Sequence, residues 1–144
     1  MDNLRGLRIE LVWWDQDITE AVISCANESF CGTARVYMNP DELPKMAELL
    51  DGFPRTTQDN REFQLGPTDL VFAGGSVGLR FHCTDSSGHA AVELRIRADD
   101  RVSGGAGTAE FAISIEAAAI DEFVSELREL KPGTWGHAHL PMRR

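Results

Sequence analysis

The fold is decided by residues 76–98, whose sequence is SVGLRFHCTDSSGHAAVELRIRA. Apolar and polar side chains alternate in 76–84 and again in 90–98, which is the period of a β-strand with one buried face. The polar run between them, Ser86-Ser87-Gly88, is typical of a hairpin turn. The side chains expected in the core are Val77, Leu79, Phe81, Cys83, Val92, Leu94 and Ile96. The exposed face would carry Gly78, Arg80, His82, Glu93, Arg95 and Arg97.

Three further strands are predicted upstream of this hairpin. Residues 7–14 (LRIELVWW), 18–27 (ITEAVISCAN) and 30–38 (FCGTARVYM) are separated by short polar turns. Short connections favour neighbouring antiparallel strands. In the first strand, strict alternation places Trp13 on the core face and Trp14 on the opposite face.

Two segments change to the helical period. In residues 41–51 apolar side chains recur on one helical face. Asp41 is the expected cap, because Pro44 has no N–H to donate and fits only the first turn of a helix. Residues 117–130 repeat this pattern, with acidic residues early and basic residues late, as the helix dipole favours.

The segments 63–65, 70–72 and 109–115 are predicted as additional strands. The sequence therefore predicts an α+β fold, with an antiparallel meander sheet of about six to seven strands and two helices packed on one face. Residues 1–131 would form a single domain, and residues 132–144, which lack periodicity, a flexible C-terminal tail. A parallel nucleotide-binding fold is excluded, because alternating β and α units are absent.

Charge and composition restrict the function classes. The 144 residues carry a net charge of −9, from 23 acidic and 14 basic side chains. Such a surface repels nucleic acid and anionic lipid, whose binding depends on clustered Lys and Arg. We therefore expect neither partner, while a basic protein would be attracted. The charged N-terminus and the three cysteines, which we expect as buried reduced thiols, favour a cytoplasmic location.

No motif predicts a cofactor or a phosphate site. The glycine-rich stretches 74–78 and 104–107 lead into strands, whereas a phosphate loop leads into a helix. Asp15 and Asp17 are explained by turn chemistry. We expect the two glycine-rich stretches to form hairpins or bulges, and Asp15 and Asp17 to belong to a turn.

Histidines supply the only other candidates for chemistry. His137 and His139 form an H-x-H pair in the tail, and Cys83 and His89 flank the hairpin turn, but a metal site needs further ligands. His82 shares a strand face with Glu93, so an acid/base pair is conceivable. Cross-strand charge pairing on a solvated sheet explains the same residues. We predict no metal site and no catalytic residue.

The candidate binding site is the sheet face opposite the helices. Trp, Tyr and Arg are enriched in binding hot spots, because they combine large contact area with directional hydrogen bonds. The residues predicted to bind a partner are Trp14, Arg35, Tyr37, Arg80, His82, Arg95 and Arg97. The same face, or an exposed edge strand, is also compatible with a homodimer.

The layout of the chain resembles the small bacterial immunity proteins of the WapI type. The resemblance covers a strand-rich start, the helix DELPKMAELLDGF at 41–53, the strand GHAAVELRIRAD at 88–99, and the strand and helix EFAISIEAAAIDEFVSEL at 110–127. It implies a non-enzymatic protein that binds a cognate toxin. It rests on layout and spacing, so no site residues are carried over.

Three function classes follow from the sequence. The first is a protein-binding module of immunity or antitoxin type with a basic, toxin-like partner. The second is a small-ligand-binding domain that uses a pocket on the sheet. The third is an enzyme that uses His82 and nearby acids. We rank them in this order.

Overall fold

A computed structural model describes residues 5–67, 74–99 and 107–144. The strands in these ranges are β1 Gly6–Trp14, β2 Thr19–Ala26, β3 Cys31–Met38, β4 Asn60–Leu65, β5 Ser76–Cys83, β6 His89–Arg97, β7 Thr108–Glu116 and β8 Gly136–Pro141. The helices are α1 Glu42–Leu50 and α2 Ile120–Arg128, the latter preceded by a 3₁₀ turn at Ala117–Ala119. The strand expected at 70–72 and the glycine-rich stretch 104–107, apart from Gly107, lie outside the described residues.

The predicted α+β class with antiparallel strands is confirmed, but the single meander is wrong. The strands form two four-stranded antiparallel sheets, a first sheet in the order β3-β2-β1-β8 and a second in the order β4-β5-β6-β7. The hairpin that decided the fold, β5–β6, pairs Leu79 with Leu94 and Phe81 with Val92, as its alternation predicts. After β3, the chain passes through α1 and starts a new sheet, a break that strand periodicity does not encode.

The segment predicted as a flexible tail contains a strand of the first sheet. In β8, His139 lies opposite Arg8 of β1, and Ala138 lies opposite Ile9. Ala138 and Leu140 alternate inward and are fully buried. The period of two is therefore present, but over six residues it is too short to distinguish from chance.

One hydrophobic core joins both sheets and both helices. The buried side chains of the two inner sheet faces and of the apolar helix faces form a single cluster. The helices contact each other, with α2 also packed against β8 and α1 against β4. In the described parts of the chain, neither helix is long and apolar enough to cross a membrane.

The two sheets approach most closely beside β3. The Gly75 N–H donates to the Arg35 carbonyl across 2.7 Å. A Cβ atom at Gly75 would lie only 2.3 Å from the Arg97 carbonyl oxygen, a distance that real side chains do not tolerate. Glycine is therefore required at this crossing.

An ion pair fastens the end of α1. Asp41 occupies the N-cap position, as expected, but its side chain makes no capping hydrogen bond, and the helix ends at Leu50. Beyond it, the Arg61 guanidinium donates to the Asp51 carbonyl across 2.8 Å and forms a salt bridge of 2.8 Å with Asp59. The hydrogen bond from Arg61 is the main reason that the pKa of Asp59 is lowered.

The cysteines differ in exposure. Cys25 is buried, and desolvation raises the pKa of its thiol to about 12. Cys83 is half-buried, whereas Cys31 is exposed, contrary to our expectation. All three thiols are free.

Candidate functional site

The structure divides the predicted binding residues between the two sheets. Trp14, Arg35 and Tyr37 belong to the first sheet. Four others share the outer face of the second sheet, namely Arg80, His82, Arg95 and Arg97. Since the core lies between the inner faces of the sheets, the seven residues do not form one continuous surface.

On the first sheet, the two predicted residues of β3 interact with their own chain. The Arg35 Nη1 forms a salt bridge of 2.9 Å with Glu20 on β2. Tyr37 lies opposite Glu20 and packs against Gly74, where a Cβ atom would come within 2.6 Å of its ring. Tyr37 is only half-exposed and fills a seam between the sheets.

On the second sheet, each predicted basic residue has a partner within the chain. Arg80 contacts the Glu93 carboxylate, and the Arg95 Nε lies 3.2 Å from Glu110. Arg97 donates to the Pro67 carbonyl across 3.1 Å. We call this outer surface the ion-paired face. Its members are Glu62, Gln64, Gly78, Arg80, His82, Glu93, Arg95, Arg97, Glu110 and Ala112.

The ion-paired face is concave. It encloses an open depression of about 670 Å³. Gly78 lies on its floor, with Gln64 and Arg95 as its cross-strand neighbours. The missing side chain at Gly78 therefore deepens the centre of the face, and the depression is lined by charged groups together with apolar ones such as Phe63 and Phe111.

His82 contacts Glu93, the neighbour with which the sequence makes an acid/base pair conceivable. Its Nε2 lies 2.9 Å from the Glu93 carboxylate, and its Nδ1 is 3.3 Å from the Cys83 carbonyl. Arg80 contacts the same Glu93 oxygen. Nucleophilic catalysis requires a hydroxyl or thiol hydrogen-bonded to the base. In the described ranges both ring nitrogens of His82 contact other groups, so the pair resembles charge pairing more than a catalytic dyad.

An irregularity in β1 exchanges the positions expected for two tryptophans. The register between β1 and β2 shifts between Leu11 and Trp13, the signature of a β-bulge. Beyond it, Trp14 lies opposite the buried Thr19, whereas Trp13 lies opposite Glu20 on the outer face. As a result Trp14 packs against the core, and Trp13 is 45% exposed.

A third tryptophan completes an aromatic cluster at this end of the first sheet. Trp135, immediately before β8, is 66% exposed, and its ring centroid lies 4.2 Å from that of Trp14. We call Trp13, Trp14 and Trp135 the tryptophan corner. Trp14 anchors it in the core, while Trp13 and Trp135 present large apolar surfaces to solvent.

The surroundings of the tryptophan corner are acidic. Asp15 and Asp17 follow directly in the turn after β1, and Glu126 and Glu129 line a cleft with Trp135. Within the described ranges, none of these four carboxylates forms a salt bridge. The Asp15 carboxylate accepts hydrogen bonds from two backbone N–H groups, which confirms its turn role. The corner thus combines apolar area with carboxylates that have no salt-bridge partner among the described residues.

The histidines that the sequence offers as metal ligands have other neighbours in the structure. His89 lies 2.6 Å from Asp85 across the hairpin turn, and the hydrogen bond from His89 is the main reason that the pKa of Asp85 is lowered. On β8, His137 lies opposite Glu10 and His139 lies opposite Arg8. Among the residues that the structure describes, no cluster of three or more His, Cys, Asp or Glu side chains is arranged to hold a metal ion.

Sequence reasoning missed the two tryptophans that the structure exposes. Strict alternation places Trp13 on the core face, and this fails because a bulge cannot be anticipated from alternation. Trp135 lies in the segment that the sequence predicts as a flexible tail. The chain matches no protein-family model, no curated protein and no solved structure. The functional argument therefore rests on the geometry of this chain alone.

Proposed function

We propose that this chain is a non-enzymatic protein-binding module of immunity or antitoxin type, which binds a basic, toxin-like protein in the bacterial cytoplasm. The observation that carries the proposal is the tryptophan corner. Trp13 and Trp135 are 45% and 66% exposed, and acidic groups that lack salt bridges among the described residues surround them.

Binding would cover apolar surface that otherwise remains in water. Tryptophan is the most enriched residue type in interface hot spots, and hot spots are most effective inside a rim that excludes water. Because Trp14 is packed against the core, it holds Trp135 in place before binding, which lowers the entropy lost on association. The net charge of −9 would speed the encounter with a basic protein.

The ion-paired face supports partner binding less well than the tryptophan corner. Its arginines already contact acidic or carbonyl groups of the chain. A partner anion would have to displace these contacts, and exposed ion pairs contribute little net free energy. For this reason we place the binding surface at the tryptophan corner instead of the seven residues that the sequence favours.

A second candidate function is small-ligand binding, which the depression of about 670 Å³ on the ion-paired face favours. Its volume lies in the usual range for ligand pockets, although its walls are more charged than is typical. A ligand in this depression would raise the melting temperature by mass action, and Arg95→Ala would reduce that shift. A third class, an enzyme that uses His82, requires turnover that His82→Ala abolishes.

The test of the proposal compares the wild-type chain with the double variant Trp13→Ser/Trp135→Ser in affinity capture from the source cells. We expect wild type to capture a protein of high isoelectric point that the double variant loses. The purified partner should rebind at one-to-one stoichiometry, with an affinity that falls as salt increases. Co-expression of wild type, but not of the double variant, should protect cells from the growth defect that this partner causes.

The matched control is Leu49→Ser, because Leu49 is 61% exposed on α1 and is not part of the corner. Capture that the double variant retains, or the absence of a basic protein in the wild-type sample, would contradict the proposal. If wild type is a dimer and the double variant a monomer, the corner is a self-association surface instead.

A further inference from the structure

The inference concerns the cleft between the end of α2 and Trp135, and it rests on the proposed function. This cleft has a volume of about 250 Å³. It is smaller than the pockets that take drug-sized molecules, so it suits one side chain. Its lining includes Glu126, Glu129, Leu130, Trp135 and His137.

One wall of the cleft is aromatic. Trp135 is 66% exposed, and the Trp14 ring contacts it in a tilted arrangement, with the centroids 4.2 Å apart and an angle of 50° between the ring planes. Trp14 therefore covers part of the Trp135 side chain, and Trp135 also lines the cleft. The face of an indole attracts cations through its quadrupole.

Two carboxylates, those of Glu126 and Glu129, also line the cleft. One Glu126 oxygen accepts a hydrogen bond of 2.9 Å from the His139 backbone N–H, which holds this carboxylate at the cleft. Glu129 is the C-cap of α2, so the cleft also lies at the negative end of the helix dipole. Arg128, the basic residue of the last turn, pairs with Asp51 at 3.1 Å and does not line the cleft.

Aromatic, carboxylate and dipole contributions all select a cation. We propose that the cleft binds one arginine side chain of the partner, with its guanidinium between the Trp135 ring and the carboxylates of Glu126 and Glu129. Arginine suits the cleft better than lysine, because a planar guanidinium stacks on an indole and also donates to carboxylates in a fork.

The test uses the whole chain and three short peptides, acetyl-Gly-X-Gly-amide, in which X is arginine, lysine or citrulline. Citrulline keeps the shape of arginine without its charge. We expect the arginine peptide to shift the Trp135 indole N–H resonance in a saturable manner, with binding at least about threefold weaker for lysine. The citrulline peptide should cause no saturable shift.

Single variants test which carboxylates contribute to binding of the arginine peptide. Glu126→Gln and Glu129→Gln should each weaken binding of the arginine peptide by about 3- to 10-fold. Glutamine can still accept the His139 N–H bond, so Glu126→Gln preserves the local structure. Glu122→Gln, in the exposed first turn of the same helix, is the matched control and should leave binding unchanged.

Equal binding of the citrulline peptide, unchanged binding by both Gln variants, or shifts confined to the ion-paired face would overturn the inference. Its failure differs from failure of the proposed function. If the partner is captured through Trp13 and Trp135 while the arginine peptide does not bind, only the cleft assignment is lost. Peptide binding without any basic partner would remove the proposed function and leave the cleft.

Discussion

The tryptophan corner and the ion-paired face both display residue types that are common in interfaces, yet they differ in how those residues are partnered. On the ion-paired face, Arg80 and Arg95 contact Glu93 and Glu110. At the corner, Trp135 is 66% exposed, and no salt bridge among the described residues neutralises the nearby Glu129.

This difference shows that residue type indicates a binding surface less reliably than whether the side chains already have partners within the chain. A charged group that is already paired gains little from a partner, because the partner must replace an existing interaction. An exposed indole gains the full free energy of removing its apolar area from water.

The largest effect should come from the anchored tryptophan. Trp14→Ala should lower the free energy of unfolding by about 2–3 kcal/mol, because it removes an aromatic side chain that packs against the core. Trp135→Ala should change it by about 0.5 kcal/mol or less. Urea denaturation measures both values. If Trp135→Ala is as destabilising as Trp14→Ala, the corner is a structural cluster and its exposure has no functional meaning.

The next effect concerns the ion pair between Arg61 and Asp59 at the end of α1. Both side chains are largely covered, with 16% and 13% of their surfaces exposed. Asp59→Asn should lower the free energy of unfolding by about 1–2 kcal/mol, because it removes a charge-assisted hydrogen bond. The folded-state pKa of Asp59 is lowered, so its contribution is complete above an unfolded pKa of about 3.9 and is lost as the pH falls toward the folded value.

Acid titration of unfolding measures this contribution. Wild type should lose stability more steeply than Asp59→Asn as the pH falls below about 4. Parallel curves for the two proteins would show that the Asp59 pKa is not coupled to folding. The stability contribution measured for this covered ion pair can be compared with the contributions of the exposed ion pairs on the second sheet.

The smallest effect is expected on the ion-paired face. Arg95 and Glu110 are 67% and 65% exposed, so Arg95→Ala should change the free energy of unfolding by less than about 0.5 kcal/mol. It should also leave capture of the basic partner unchanged. A large loss of partner binding in this variant, with capture retained by Trp135→Ser, would reverse the assignment of the two surfaces.

Much of the fold could be predicted from local patterns. The β5–β6 hairpin, its inward side chains and both helices follow from periodicity of two and of 3.6 residues. The division into two sheets could not be predicted, because pairing between distant strands leaves no local signal. The strand β8 was missed for a related reason, since its six residues contain only Ala138 and Leu140 as inward markers.

The candidate site could be predicted only in its residue types. Tryptophan was recognised as a binding residue type and the net acidity as favouring a basic partner, but which tryptophan is exposed depends on a single extra residue in β1. Trp135 lies in a segment without periodicity, so the sequence does not predict its position. Its contact with the Trp14 ring is seen only in the structure. The arginines were placed on the exposed face and cross-strand charge pairing was considered for it, but only the structure shows that Arg80 and Arg95 contact Glu93 and Glu110.

The pairing of β1 with β8 has a consequence for how this protein is made in the cell. During synthesis, β2 and β3 emerge soon after β1, but the other edge of β1 has no neighbour until residues 136–141 have left the ribosome. A nascent chain therefore exposes an open strand edge beside Trp13 and Trp14 until β8 has been made. Open edges of this kind attract other chains, so molecules stalled before residue 136 should aggregate or depend on chaperones far more than molecules that contain β8.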